Sequence, residues 1–262
     1  TLAETLEKVK GPLLILVTCQ YLREVYEMLS KEPALAGAVD HTVAFYGFIT
    51  DQYYRQRILT EPQGKPKREA GIHIPRVIHY CWFGRKPLPA DVEKYIESWK
   101  HYCPDYEIIR WDESNFDVGQ HPFVREAYKA KAWAFVSDYA RLKVVYDNGG
   151  IYLDTDVELR KNLDSLREHG CYIGIQQNEF LCNTGLGFGA TKSNPVLLKM
   201  LKSYDDLTFS PLRARELACP ALNDAVIRSY GKVSNSEITE LDEVTVYPPR
   251  YFDPYGGENL LC

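Results

Sequence analysis

No apolar run in the sequence is long enough to cross a bilayer. The longest, Leu13-Leu14-Ile15-Leu16-Val17, holds five residues, against roughly twenty in a membrane-spanning helix. No secretory leader is visible either. Dense Lys/Arg runs are absent, and with 31 basic against 36 acidic residues the chain carries a net charge of −5. That excludes the positive surface that nucleic acid requires. The seven cysteines, at 19, 81, 103, 171, 182, 219 and 262, include no Cys-x-x-Cys pair, and an odd number cannot all pair internally. A reducing cytoplasm is the simpler reading, and peripheral association with the inner face of a membrane is compatible with it. His79-x-Cys81 and His101-x-Cys103 imitate a four-ligand zinc site in composition only, because one pair falls in an expected strand and the other at a helix end.

At 262 residues the chain can bury a full core as one large domain, or as one domain with an appendage. Residues 13 to 18 read as a buried strand, 21 to 31 as an amphipathic helix and 42 to 49 as another strand. Residues 1–60 are therefore expected to form a βαβ-like segment, read as structural packing or as the tail of a preceding module. Its first turn, Thr18-Cys19-Gln20-Tyr21, has no glycine to let a pyrophosphate approach the backbone. Residues 61–72 turn to Pro, Gly, Lys and Arg and are expected to be a linker. The main domain, 73–262, opens with a strand, Ile74 to Cys81, running into Trp82-Phe83-Gly84. A helix around 92–101, a strand at 106–111 and a helix near 123–130 follow. Alternating strands and helices predict an α/β fold with a mostly parallel central sheet covered on both faces.

Residues 133 to 159 are the most informative stretch. At about 100° per residue, Leu142, Phe135, Tyr146 and Tyr139 fall on one apolar stripe of a helix, and Ser137, Asp138 and Arg141 gather on a separate polar one. The helix should stop at Asn148-Gly149-Gly150, residues that accept the left-handed conformation. A short strand, Ile151-Tyr152-Leu153, then delivers Asp154 and Asp156, which on a pleated strand point to the same side. Two carboxylates forced together repel. A hard divalent cation, Mg²⁺ or Mn²⁺, offsets that repulsion, as does simple solvation at a strand end or turn, and the spacing alone leaves both open.

Further on, Cys171 to Gln176 reads as a strand, and Asn183 to Ala190 is small and glycine-rich, fit either for a close ligand approach or for a tight or bulged strand. Helices are expected near 194–204 and from Pro220. Asp224 in the latter is the carboxylate to watch, and a favourable charge near a helix N-terminus is its plainer account.

Ser137-Asp138-x-x-Arg141, followed by Gly149-Gly150-x-Tyr152-Leu153-Asp154-x-Asp156, resembles glycosyltransferase family 32 and the related glucosylating domains of large cytotoxins. The opening Ile74-Pro75-x-Val77-Ile78-His79-x-x-Trp82-x-Gly84 resembles the first strand of the same families, in the same order along the chain. The resemblance implies a GT-A type nucleotide-sugar-binding fold. It implies that Asp138 and Arg141 hold sugar hydroxyls, that Asp154 contacts ribose, donor sugar or metal, and that Asp156 ligates the metal. Asp138, Arg141, Asp154 and Asp156 are then the expected catalytic set, with Asp154 and Asp156 the metal ligands. Trp82 would stack on the nucleobase with Cys81 beside it, and Asn183 would lie near the donor sugar or the acceptor.

The implied activity is metal-dependent, retaining transfer of a hexose from a nucleotide diphosphate sugar to a hydroxyl of a saccharide or glycolipid, in surface or capsular polysaccharide synthesis. A UDP-sugar ranks ahead of a GDP-sugar as donor, and the cation is Mn²⁺ or Mg²⁺. Members continue past Tyr251 to Tyr255 into a closing segment with His and Trp, so the metal site of this chain is expected to be incomplete. The alternative is a catalytically silent nucleotide-sugar-binding or scaffolding module. A phosphatase using Asp154 as nucleophile and Asp156 as acid would explain neither the Ser-Asp-x-x-Arg helix nor the Trp82 strand.

Overall fold

The computed structural model describes residues 73–253 apart from 178 and 215, together with 15–17, 29, 31, 33 and 43–45. The chain divides into two units, Thr1–Thr60 with Tyr255–Cys262, and Glu61–Pro254. In the first, β1 (Ile15–Val17) pairs in parallel with β2 (Val43–Phe45). The rest of the expected βαβ segment, including most of the 21–31 helix, lies outside the described residues, as do the linker at 61–72 and residues 254–262.

The second unit is built on one seven-stranded sheet. Its elements are β3 (Val77–Cys81), α1 (Ala90–Tyr102), β4 (Glu107–Trp111), α2 (Pro122–Lys129), α3 (Trp133–Asn148), β5 (Gly150–Tyr152), β6 (Cys171–Ile175), β7 (Cys182–Ala190), α4 (Pro195–Lys202), α5 (Cys219–Arg228), β8 (Thr239–Glu240) and β9 (Thr245–Tyr247). The strand order is β4-β3-β5-β7-β6-β9-β8. The expected parallel character holds in β4-β3-β5 and again between β6 and β9. β7 runs antiparallel to both of its neighbours and β8 antiparallel to β9, so the sheet is mixed. The glycine-rich run is thus a strand in mid-sheet, and the register slips at Ile173/Gly174 where β6 meets it. Gly189 is required there: a Cβ would lie 2.6 Å from the ring of Tyr172.

Side chains alternate between two apolar clusters, as the period of two demands. Ile78, Tyr80, Ile151 and Tyr172 pack with Ile96 and Trp99 of α1. Cys81, Tyr152 and Ile173 pack with Phe123 of α2, Leu142 and Val145 of α3, Leu197 of α4 and Ile227 of α5. Helix ends follow local chemistry. Pro122 and Pro195 occupy first-turn positions behind His121 and Asn194, whose side chains accept from Phe123 N–H and Val196 N–H. α3 stops at Gly149, with φ of +70°.

The turn between α3 and β5 is locked from below by His79. Its Nδ1 accepts from Trp111 Nε1–H at 3.1 Å, which leaves Nε2 to donate to the Gly149 carbonyl at 2.8 Å. Burial lowers the His79 pKa. Gly150, at φ of +116°, has no room for a Cβ, which would sit 2.8 Å from both His79 Nε2 and the Val77 carbonyl. The geometry that aims β5 at the site is therefore fixed by three residues, His79, Gly149 and Gly150.

Candidate active site

The polar stripe of α3 turns inward. Asp138 and Arg141, one helical turn apart, are both buried, at 7% and 4% exposure. Arg141 Nε donates to the carbonyl of Ser137 at 3.2 Å, which aims the guanidinium across the end of β5. There Nη2 lies 3.2 Å from Asp138 Oδ1 and 3.1 Å from Asp154 Oδ1, and the guanidinium carbon is 5.0 Å from the centre of the Tyr152 ring. The Tyr152 hydroxyl donates to the same Asp154 oxygen at 2.9 Å. Burial pushes both carboxyl groups above the usual aspartate range, and Arg141 pulls both back. The close approach of Asp156 adds to the upward push on Asp154.

Asp154 and Asp156 do not stand on a pleated strand. β5 ends at Tyr152, the last rung is Leu153 N–H to His79 carbonyl at 3.0 Å, and Val157 N–H to Asp154 carbonyl at 3.1 Å closes a turn. The same-side rule for strands therefore does not apply here, and the two carboxylates differ: the Asp154 side chain is 28% exposed and ion-paired, while Asp156 is exposed.

Among the described residues no group of three or more His, Cys, Asp or Glu could hold a metal. The donor set still fits a hard cation that keeps one or two carboxylates and takes its other oxygens from water and substrate phosphate; it does not fit a closed protein cage.

A third element closes the pocket. On β7, the Asn183 Oδ1 accepts from Gly185 N–H at 2.7 Å and its Nδ2 donates to Gln176 Oε1 at 2.8 Å. A Cβ on Gly185 would lie 2.8 Å from Asp154 Oδ2, 3.1 Å from Asn183 Oδ1 and 3.2 Å from Arg141 Nη1. The missing side chain is thus what leaves a space where carboxylate, amide and guanidinium converge.

The other expected site residues are placed differently. Trp82 is half-buried beyond β3, its ring against the α1-side cluster and its indole N–H on the Lys86 carbonyl at 2.8 Å. The Cys81 thiol is buried in the core beside Tyr152, and burial pushes it up to about 12, so the thiol faces the core. Asp224 is buried and accepts from Cys182 N–H at 3.0 Å and Arg228 Nε at 2.7 Å, which makes it a clamp between α5 and β7. Tyr152, Thr184, Gly185, Cys219 and Asn223 also belong to this region. Tyr152 had a local signal as part of the Gly-Gly-x-Tyr motif, and Thr184 and Gly185 lay in the glycine-rich run read as fit for a close ligand approach, whereas Cys219 and Asn223 were not singled out.

Residues 89–173 match the family model described as a glycosyltransferase sugar-binding region containing a DXD motif, which spans α1 to β6 and includes Asp138, Arg141 and the acidic turn. Residues 89–173 thus carry the sugar-binding region of the DXD-containing glycosyltransferases of the family 32 type. A glycosyltransferase of Acanthamoeba polyphaga mimivirus, itself described as uncharacterized, is 34% identical over 188 residues, 66% of this chain and 66% of its own length. Inositol phosphoceramide mannosyltransferase 3 of Schizosaccharomyces pombe is 29% identical over 144 residues, which is 52% of this chain and 39% of that protein. The chain thus spans less than two thirds of these relatives. Among solved structures, the PaToxG glycosyltransferase superposes with a TM-score of 0.50 over 70% of this chain and 75% of that one, at 20% identity. The mixed sheet of this chain is accordingly GT-A-like.

Proposed function

We propose that the chain is a metal-dependent, configuration-retaining hexosyltransferase that moves a hexose from a nucleoside diphosphate sugar to an acceptor hydroxyl. The observation that carries this reading is the convergence of Asp138, Arg141 and Asp154 on the space left open by Gly185, with the exposed Asp156 two residues on. Buried, charge-paired groups of this kind suit recognition of sugar hydroxyls, because their hydrogen bonds form in a low-dielectric pocket. In this reading Asp138 and Arg141 hold the sugar, Asp154 the sugar, ribose or metal, and Asn183 the sugar or acceptor. Trp82 would stand at the nucleobase end, where Cys81, whose thiol faces the core, would contribute only its backbone. When bound at Asp156 and Asp154, Mn²⁺ or Mg²⁺ would neutralise charge on the departing diphosphate.

Retention is accounted for without an enzymic nucleophile. Arg141 engages both the buried Asp138 and the part-exposed Asp154, which suits them to binding, so a same-face substitution is favoured in which a donor phosphate oxygen takes the acceptor proton. Three relatives carry the name inositol phosphoceramide mannosyltransferase. Those names agree with mannose, held open beside glucose and galactose as the transferred sugar, and with the glycolipid among the acceptors already expected. A cytoplasmic setting at the inner face of a membrane, serving surface or capsular polysaccharide synthesis, agrees with this chemistry. No described helix is long and apolar enough to cross a membrane.

The test is calorimetry and thermal shift with UDP and GDP, each with and without Mn²⁺, on the chain and on Asp156→Asn. One nucleotide should bind with metal, bind at least tenfold more weakly without it, and bind weakly to Asp156→Asn in both conditions. Metal-independent binding, unchanged by the substitution, would overturn the metal-dependent reading. Release of free sugar from the bound donor separates a transferase from a silent binding module.

A further inference from the structure

Five buried cysteines occur among the described residues. Cys81, Cys103, Cys171 and Cys182 belong to the two apolar clusters, as buried thiols ordinarily do. Cys219 is 5% exposed and belongs to neither. As the first residue of α5, it is surrounded by polar groups from α3 and β7.

Donor and acceptor roles around it are fixed in sequence. Asn223 Nδ2 donates to Thr184 Oγ1 at 2.9 Å, so the Thr184 hydroxyl proton is free to point at Cys219 Sγ, 3.8 Å away. The Cys219 thiol in turn lies 3.7 Å from Asn183 Oδ1, and Asn183 donates onward to Gln176. The orientation of the Asn183 amide is set independently, because Gly185 N–H donates to the same oxygen. Arg141 Nη1 reaches the sulfur at 4.0 Å. These are distances suited to sulfur, whose larger radius spans gaps that a hydroxyl oxygen would leave open. Chained hydrogen bonds polarise one another, so each link fixes the next.

We propose that Cys219 is a positioning residue of the sugar subsite: its thiol, which Arg141 also reaches, carries the hydrogen-bond chain from Thr184 to Asn183. The sulfur faces the donor through these two side chains and touches no reacting atom itself. This assignment rests on the reading of Asp138, Arg141 and Asn183 as the sugar subsite. It makes α5 a support for the donor pocket, through a residue far in sequence from the Asp-x-Asp turn.

A positioning role predicts a split between two ligands that a packing role does not. The probes are UDP, UDP-glucose, GDP and GDP-mannose with Mn²⁺, measured by calorimetry on the chain, Cys219→Ala, Cys219→Ser and Asp138→Asn. For the nucleotide pair that the unsubstituted chain binds, Cys219→Ala should keep the affinity for the free diphosphate within about twofold and weaken the sugar nucleotide about tenfold or more. Cys219→Ser keeps a donor with a shorter reach and should fall between. If Cys219→Ala does not fold, Cys219→Ser decides alone, by the same split. Equal weakening of both ligands, or no weakening of either, overturns the proposal. If Asp138→Asn spares the sugar nucleotide, or the chain binds no probe, the underlying reading of the sugar subsite fails as well. If Asp138→Asn weakens the sugar nucleotide and both Cys219 variants do not, Cys219 alone is misassigned.

Discussion

Arg141 is the side chain whose loss the site tolerates least. It is 4% exposed and holds two carboxylates, one of them equally buried. Removing one partner of a buried ion pair leaves an uncompensated charge, a loss of about 3–5 kcal/mol, and here two carboxylates are left. Arg141→Ala should therefore lower the unfolding free energy by at least that range, read from urea midpoints at pH 7. A loss below about 1 kcal/mol would mean that the pair is solvated or that the carboxyl groups take up protons instead. Asp156→Asn, at an exposed position, should leave stability within about 0.5 kcal/mol, which separates its effect on nucleotide binding from any effect on folding. At this scale the sequence was readable where the chemistry is local: Asp138 and Arg141 share one polar stripe because they are three residues apart on a helix. Cys219 and Asn223 were not readable, since their partners lie across the fold and no spacing marks them.

Among the elements, the α3–β5 turn carries the best test. His79 is neutral because burial lowers its pKa, and in that form it bridges Trp111 and Gly149. As pH falls, the unfolded chain takes up its imidazole proton near 6.5 while the folded chain resists. The stability due to His79 is thus complete above about 6.5 and declines as pH drops towards the lower, folded value. Asp138 and Asp154, both raised, act in the opposite sense at lower pH, so the full pH curve is a sum of both effects. The difference between the chain and His79→Gln isolates the imidazole. Between pH 7.5 and 5.5, urea midpoints should fall further for the chain than for the variant. Equal falls would show that His79 titrates as freely when folded as when unfolded. The elements themselves were legible where one pattern dominates, as in α3, whose two stripes and Gly149-Gly150 stop predicted its bounds. The acidic turn was misplaced onto a strand because nothing in Leu153-Asp154-Thr155-Asp156 marks where β5 leaves the sheet. β7 was left ambiguous because its glycines, which make room for Tyr172 and for the donor pocket, also erase the alternation by which strands are recognised.

At the scale of the molecule, the sheet gathers β3 to β9 from within residues 77–247, and among the described residues both apolar clusters draw on residues from Ile74 to Phe252. A core of that extent meets the burial that an independent domain of this size needs. Residues Glu61–Pro254, expressed alone, should therefore unfold in one cooperative urea transition, with the far-ultraviolet signal and tryptophan fluorescence superimposing. All the residues assigned to the donor pocket, from Cys81 to Asn223, lie inside that fragment, so its affinity for the nucleotide with Mn²⁺ should match that of the full chain within about threefold, roughly 0.65 kcal/mol. A fragment that unfolds in two phases, or that binds tenfold more weakly, would assign a structural or binding role to residues 1–60 or 255–262 and would move the domain boundary. A matching fragment leaves residues 1–60 outside donor binding, and directs the search for their role to the acceptor or to whatever module they adjoin.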